Sequence, residues 1–160
     1  MATVTFVLAL LLALGSGLAA GVFFAFSTFV MPALGRVPAS QGIAAMQSIN
    51  VKAINPWFMG ALFGTAAVAL AVFVAALVDL GEDYSPYLLA GAALYLVGVI
   101  AVTIAFNVPR NNALARLDPD SPESAGYWAR YLDEWTRWNH VRTVAPLVAA
   151  GLVTAALYVA

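Results

Sequence analysis

The residues best suited to chemistry lie in two short polar stretches. Residues 106–112 read Phe-Asn-Val-Pro-Arg-Asn-Asn, and residues 135–143 read Trp-Thr-Arg-Trp-Asn-His-Val-Arg-Thr. Carboxamide, guanidinium and indole groups form hydrogen bonds of defined geometry, and aromatic faces stack on flat ligands. The combination predicts a pocket for a planar, oxygenated organic molecule.

The polar segment before the second apolar stretch adds further candidates to this pocket. For substrate binding we single out Asn50, Asn55, Arg110, Asn111, Trp135 and Trp138. For catalysis we single out Asn107, Asn139, His140 and Arg142. His140 is the only histidine and could act as a general base near neutral pH. The alternative interpretation is that these side chains only satisfy helix ends, as Asn55 would do by capping a helix.

The composition excludes several kinds of site. The chain contains no cysteine, which rules out disulfides, thiolate metal ligands and iron–sulfur centres. A single histidine cannot form a histidine-rich metal site, so we expect no metal. The formal net charge is −1, which provides no basic field for nucleic acid.

The elements that must position these residues are four apolar segments. Hydrophobic residues make up 63% of the chain and charged residues only 9%, against about a quarter in soluble domains. Residues 1–35, 53–78, 84–109 and 143–160 contain no Asp, Glu, Lys or Arg. Each segment is long enough for a bilayer, which needs about 20 residues. We therefore predict an all-α, four-transmembrane-helix bundle that forms one domain over residues 1–160.

Capping residues followed by proline predict three helix starts, at Asn55-Pro56, Ser85-Pro86 and Ser121-Pro122. The predicted spans cover residues 3–31, 56–80, 86–106 and 141–159. Pro32 should end or kink the first span, and Val108-Pro109 should end the third. Because no Lys or Arg precedes the first apolar run, we expect it to be retained as a span rather than cleaved as a signal peptide.

Residues 122–138 are predicted to form a separate, cytoplasmic amphipathic helix between spans 3 and 4. Its apolar face consists of Trp128, Tyr131, Leu132, Trp135 and Trp138, at helical spacing. On the polar face, Arg130 could pair with Glu134 and Asp133 with Arg137, since the members of each pair are four residues apart. The helix could lie on the membrane interface or cover the pocket, and the sequence leaves both open.

The distribution of basic residues predicts the orientation in the cell membrane. All seven lie in the two long loops, Arg36 and Lys52 in the first and five arginines in the second, whereas the short loop has none. Because cytoplasmic loops are enriched in Lys and Arg, we expect both long loops in the cytoplasm and both termini outside.

Small residues recur at four-residue spacing in the first two spans, at Ala13, Gly17, Gly21 and Ala25 and at Gly60 and Gly64. Such faces let helix backbones approach closely in lipid. We expect them to pack inside one bundle, with a homo-oligomer as the alternative.

The two polar stretches also carry a family resemblance, together with residues 21–27, Gly-Val-Phe-Phe-Ala-Phe-Ser, and residues 31–34, Met-Pro-Ala-Leu. The chain resembles the anthrone oxygenase-like membrane proteins over nearly its whole length. The resemblance implies a four-helix membrane protein and, as in characterised fungal relatives, oxidation of an anthrone to an anthraquinone by dioxygen without a cofactor. The positions that carry over are Asn107, Pro109, Asn111, Trp135, Asn139 and Arg142.

The mechanism that follows is a hypothesis: His140 removes a benzylic proton, and Asn107, Asn139 and Arg142 stabilise the enolate. Trp135 and Trp138 would stack on the substrate rings. The competing interpretation is a non-catalytic membrane protein that binds a lipid, a quinone or a partner subunit. A small transporter is less favoured, because the few polar residues inside the spans are not ionisable.

Overall fold

The computed structural model describes all 160 residues and is 86% helical, with no β-strand. Five helices follow one another: α1 (Thr3–Leu34), α2 (Ala39–Ala53), α3 (Pro56–Val78), α4 (Ser85–Leu114) and α5 (Pro122–Val159). All except α2 are long and apolar enough to cross a membrane. This confirms the predicted all-α fold with four such helices, as expected of an integral membrane protein.

Helix α5 joins two elements that the sequence predicts separately. It runs for 38 residues from Pro122 to Val159, through the predicted break at residues 139–141. At about 1.5 Å per residue, this helix is about 57 Å long, which exceeds the thickness of a bilayer core, about 30 Å. A separate amphipathic helix is therefore absent. The aromatic face predicted for it is buried inside the protein, with Trp128 and Trp135 each 4% exposed.

Two prolines that we expected to disturb helices lie inside them instead. A wide, π-helical turn precedes each: Phe26–Val30 before Pro32, and Thr103–Asn107 before Pro109. Proline lacks an N–H and its ring clashes with the carbonyl four residues earlier, and a wider turn moves that carbonyl aside. The helices therefore continue to Leu34 and Leu114, and the predicted end at Val108-Pro109 is wrong.

The buried apolar side chains form two clusters. The larger lies between the four long helices and includes Leu12, Val72, Leu88, Tyr95 and Val153. The smaller lies where α2 packs on α4 and α5, a region that we call the α2 end, and consists of Met31, Ile43, Met46, Leu114, Trp128, Tyr131 and Trp135. Gln47 Nε2 of α2 donates to the carbonyls of Leu114 at 2.9 Å and Leu117 at 3.0 Å. The second bond satisfies a carbonyl of the segment that follows α4, and both bonds hold α2 in place.

The closest helix contacts fall at other glycines than the predicted ones. A Cβ atom at Gly17, Gly21, Gly60 or Gly64 would meet nothing within 4 Å. A Cβ at Gly15 would instead lie 2.2 Å from Thr65 Oγ1 of α3, and one at Gly98 2.2 Å from Ala145 Cβ of α5. The prediction that these four glycines pack inside the bundle is therefore wrong, whereas Ala13 of the same predicted face does pack against the core. The use of the glycine faces by a second copy of the chain stays a prediction.

Gly98→Ala is expected to destabilise the bundle by about 1–3 kcal/mol, because the methyl of Ala145 is too short to rotate away and α4 and α5 must separate. Gly64→Ala is the matched control, where alanine meets open space and has the better helix propensity. Unfolding of both variants in the same detergent checks this. If Gly98→Ala were as stable as Gly64→Ala, the close approach of Gly98 to Ala145 would be contradicted.

Candidate functional site

Polar side chains from three helices meet where α1, α4 and α5 converge next to the α2 end. Their members, which we call the Arg142 network, are Ser27, Thr103, Asn107, Asn139, Arg142 and Thr143. The members from α1 and α4 all belong to the π-helical turns before Pro32 and Pro109. Turns of this kind occur frequently at functional sites, because they change the direction of the side chains that they carry.

Arg142 is a buried cation with neutral neighbours only. Its side chain is 5% exposed. Nη2 donates to Asn139 Oδ1 at 2.7 Å and Nη1 to Thr103 Oγ1 at 3.3 Å. The guanidinium carbon lies 4.4 Å from the ring centroid of Phe23 and 5.0 Å from that of Trp135. No carboxylate pairs with it, although buried charges are normally paired.

Asn139 holds Arg142 in position and ties α5 to α1. Its Nδ2 donates to the Phe23 carbonyl at 2.7 Å and to Ser27 Oγ at 2.8 Å, while its Oδ1 accepts from Arg142. Thr143 Oγ1 donates to the Asn139 carbonyl at 2.9 Å. Since both donors of the carboxamide are used inside the protein, Asn139 is a positioning residue in this arrangement and does not present a donor to an enolate.

Asn111 fixes the aromatic part of the site. Its Oδ1 accepts from Trp135 Nε1 and from the Tyr131 hydroxyl, each at 2.8 Å. The Trp135 ring centroid lies 6.3 Å from that of Tyr131 and 5.8 Å from that of Phe26. Trp135 therefore connects Asn111 on one side with Arg142 on the other, and its ring orientation is set by α4.

Three buried polar atoms near Trp135 and Tyr131 have no hydrogen-bond partner: Arg142 Nε, Asn107 Oδ1 and Asn50 Nδ2. Asn107 Nδ2 donates to the Trp135 carbonyl at 3.2 Å, which leaves its oxygen as the available atom. Asn50 lies beside the Tyr131 hydroxyl. Buried polar atoms are nearly always paired, so these two donors and one acceptor, from three helices, are hydrogen-bonding groups that the protein itself leaves free.

Three of the predicted binding residues have other roles. Asn55 caps α3 by accepting from the backbone N–H groups of Trp57 and Phe58 at 3.1 and 3.0 Å, as the alternative interpretation proposed. The Trp138 ring stacks on Phe106 with centroids 3.5 Å apart. Arg110 forms an ion pair with Glu134 at 2.9 Å. These contacts use the Asn55 side chain as a helix cap and fix Trp138 and Arg110 against neighbouring residues, while a role of the three in binding a ligand stays a prediction.

Of the two ion pairs predicted within α5, one is present. Asp133 and Arg137 pair at 2.6 Å, which confirms one of them. Glu134 pairs with Arg110 of α4 rather than with Arg130, whose guanidinium lies 5.7 Å from the Tyr127 ring centroid. The predicted Arg130–Glu134 pair is therefore wrong, because the fold offers Glu134 a partner on another helix.

His140 does not join the Arg142 network. It is exposed and faces an open hollow of about 430 Å³ between the end of α1 and the middle of α5, which we call the α1–α5 groove. Successive residues of a helix point about 100° apart, and Asn139 and Thr143 stand between His140 and Arg142 on α5. The predicted placement of His140 with the other catalytic candidates is wrong, and its role as the base stays a prediction that the geometry does not support.

The structure adds residues that the sequence analysis missed as parts of the site: Ser27, Phe23, Thr103 and Tyr131. Ser27 and Thr103 were visible as rare polar residues inside apolar segments. Phe23 had no such signal, because its contact with Arg142 depends on how α1 packs against α5.

The fold and the site define a class: a membrane-type helical bundle with an internal polar site built around a buried arginine. No group of three or more His, Cys, Asp or Glu side chains lies close enough to hold a metal ion. A family model described as anthrone oxygenase matches residues 54–152, more than half of the chain. The chain belongs to the anthrone oxygenase family, which confirms the resemblance. No curated protein and no solved structure gives a significant match.

The matched region runs from the start of α3 into the second half of α5. It includes the members of the Arg142 network that come from α4 and α5. Ser27 and Phe23, the contacts from α1, lie outside it. The family match therefore covers α3 and the two helices that supply most of the Arg142 network.

Proposed function

We propose that this protein is a membrane oxygenase that converts an anthrone-like, planar aromatic substrate into the quinone at the Arg142 network. The observation that carries the proposal is the buried Arg142 guanidinium, which has no carboxylate partner and an unpartnered Nε. An ionisable residue in an apolar, membrane-type helix is by default a functional candidate. Its positive charge complements an oxyanion that forms during the reaction.

Arg142 stabilises the enolate oxygen that forms when the substrate loses one benzylic proton to water. The enolate electron pair reduces dioxygen, and a C–O bond forms at the benzylic carbon. The resulting peroxide loses water, which takes the second benzylic hydrogen, and leaves a carbonyl. Overall, a CH₂ group becomes C=O while one O₂ is consumed and one H₂O released. Because the substrate anion is the reductant, the reaction needs no cofactor.

The surroundings of Arg142 are arranged before the substrate binds. Asn139 holds the guanidinium and Asn111 holds Trp135, so neither side chain has to reorganise as charge develops. The rings of Phe23 and Trp135 flank the cation and keep it in apolar surroundings, where its charge acts more strongly on an oxyanion than it would in water. Asn107 Oδ1 supplies an acceptor for a substrate hydroxyl.

The test of the proposal is turnover of anthrone by the protein in lipid nanodiscs. Oxygen uptake and quinone absorbance are recorded together, and the spontaneous rate in empty nanodiscs is subtracted. We expect a saturable excess rate with equal amounts of O₂ consumed and quinone formed. Saturable quenching of tryptophan fluorescence by anthrone without turnover would favour the non-catalytic binding protein. The absence of both turnover and quenching would contradict both functions.

We also propose that the site faces the cytoplasm, since all seven basic residues lie either between α1 and α3 or between Arg110 of α4 and Arg142 of α5, whereas the loop between α3 and α4 has none. The absence of native cysteine makes a labelling test direct. Single cysteines at Ser121 and Gly81 place one probe in each kind of loop. A membrane-impermeant maleimide should label only the cysteine at position 81 in intact cells. Labelling of the cysteine at position 121 alone would show the opposite orientation.

His140→Ala is expected to keep most of the turnover, because the imidazole lies in the α1–α5 groove outside the Arg142 network. A general base contributes about 10²–10⁴-fold, so the loss here should stay below about tenfold. The measurement is kcat for anthrone in nanodiscs. A loss of about 100-fold or more would instead restore His140 as the base.

A further inference from the structure

The α1–α5 groove lies outside the Arg142 network and has the size and the lining residues of a second binding site. Its hollow of about 430 Å³ falls within the range of about 300–1,000 Å³ typical of small-molecule sites. One wall comes from the end of α1 and the two residues after it, and the other from one face of α5. It opens at the α2 end, where the basic residues of the chain are concentrated.

Basic side chains from both walls face the groove. Arg36 comes from the α1 side, and Arg137 and His140 come from α5. Asp133 is the one acidic side chain in the lining, and it already pairs with Arg137 at 2.6 Å. Arg36 has no ion pair. The groove therefore carries a surplus positive charge that a phosphate group could neutralise, and Arg side chains are well suited to phosphate.

Apolar surface begins at the same place. Met31, Pro32 and Leu132 line the groove among its charged residues. One turn further along each helix, away from the α2 end, Phe29 is 61% exposed and Val144 58% exposed. A ligand whose phosphate lies at Arg36 could thus continue as a hydrocarbon chain over exposed apolar side chains. Free phosphate would contact only the basic residues and not the apolar side chains.

We propose that the α1–α5 groove binds the headgroup phosphate of an anionic phospholipid, with the acyl chains along α1 and α5. Basic pockets beside membrane helices recognise such lipids through the same combination of charge and apolar surface. Arg36 and His140 donate to the phosphate oxygens, while Arg137 stays paired with Asp133. The inference is independent of the proposed oxygenase activity.

Native mass spectrometry of the detergent-solubilised protein, titrated with phosphatidylglycerol, tests the proposal. Arg36→Gln should weaken binding about fivefold, the contribution of one basic residue at a charged lipid surface. Arg116→Gln is the matched control, since Arg116 is also exposed, lies at the α2 end and has no ion pair. This variant should bind as the wild type does.

Three outcomes would overturn the inference. Equal weakening in both variants would show that the lipid responds only to overall charge. Equal binding of phosphatidylcholine would remove the preference for an anionic headgroup. Displacement of the lipid by inorganic phosphate at similar concentration would show that the acyl chains contribute nothing and that the site takes free phosphate.

Discussion

Arg142→Met is expected to lower anthrone turnover by about 100- to 1,000-fold while the protein stays folded. The loss follows from removing the only buried cation of the site, an electrostatic contribution that typically has this size. Methionine fills a similar volume and carries no charge. Because Arg142 has no carboxylate partner, the gain from removing its buried charge offsets the cost of leaving Asn139 Oδ1 without a donor, so the loss of stability should not exceed about 1–3 kcal/mol.

The two readouts are oxygen uptake in nanodiscs and thermal unfolding in detergent. Arg116→Met, at an exposed position of the α2 end, is the control and should change neither. Unchanged turnover in a folded Arg142→Met variant would exclude Arg142 as the group that stabilises the enolate. If Arg142→Met does not fold, Arg142→Lys, which keeps the charge, should fold and retain measurable activity. Failure of both to fold would assign Arg142 to stability alone.

Asn139→Leu is expected to destabilise the protein by about 3 kcal/mol or more. The substitution removes the acceptor of Arg142 Nη2 and both donors to α1, at Phe23 and Ser27. Buried groups left without partners cost about 1–3 kcal/mol each, and more when one is charged. Asn112→Leu, at an exposed position on α4, is the control and should have a small effect.

The double variant Asn139→Leu/Arg142→Met tests whether Asn139 stabilises the protein through Arg142 or independently of it. Without the guanidinium, no buried charge is left unpartnered, so the double variant should be more stable than Asn139→Leu alone by about 1–3 kcal/mol. Unfolding free energies of the four proteins in one detergent complete the cycle. Strictly additive effects would show that Asn139 does not act through Arg142.

Some of the structure follows from short-range chemistry and was predictable for that reason. Uncharged apolar segments of span length must form helices in lipid, because only a helix satisfies their backbone groups internally. The cap at Asn55 is equally local, since its hydrogen bonds reach only residues two and three positions further on. The continuous course of α4 through Pro109 was not predictable, because it depends on a π-helical turn that has no sequence signature.

The sequence by itself determined the class of the protein and brought forward five of the residues that meet around Arg142, namely Asn107, Asn111, Trp135, Asn139 and Arg142. Only the tertiary structure decided what each of them can do. Hydrogen bonds to α1 occupy both donors of Asn139, and no carboxylate reaches Arg142. His140, the next residue after Asn139, points into a different groove, because neighbouring residues on a helix project about 100° apart.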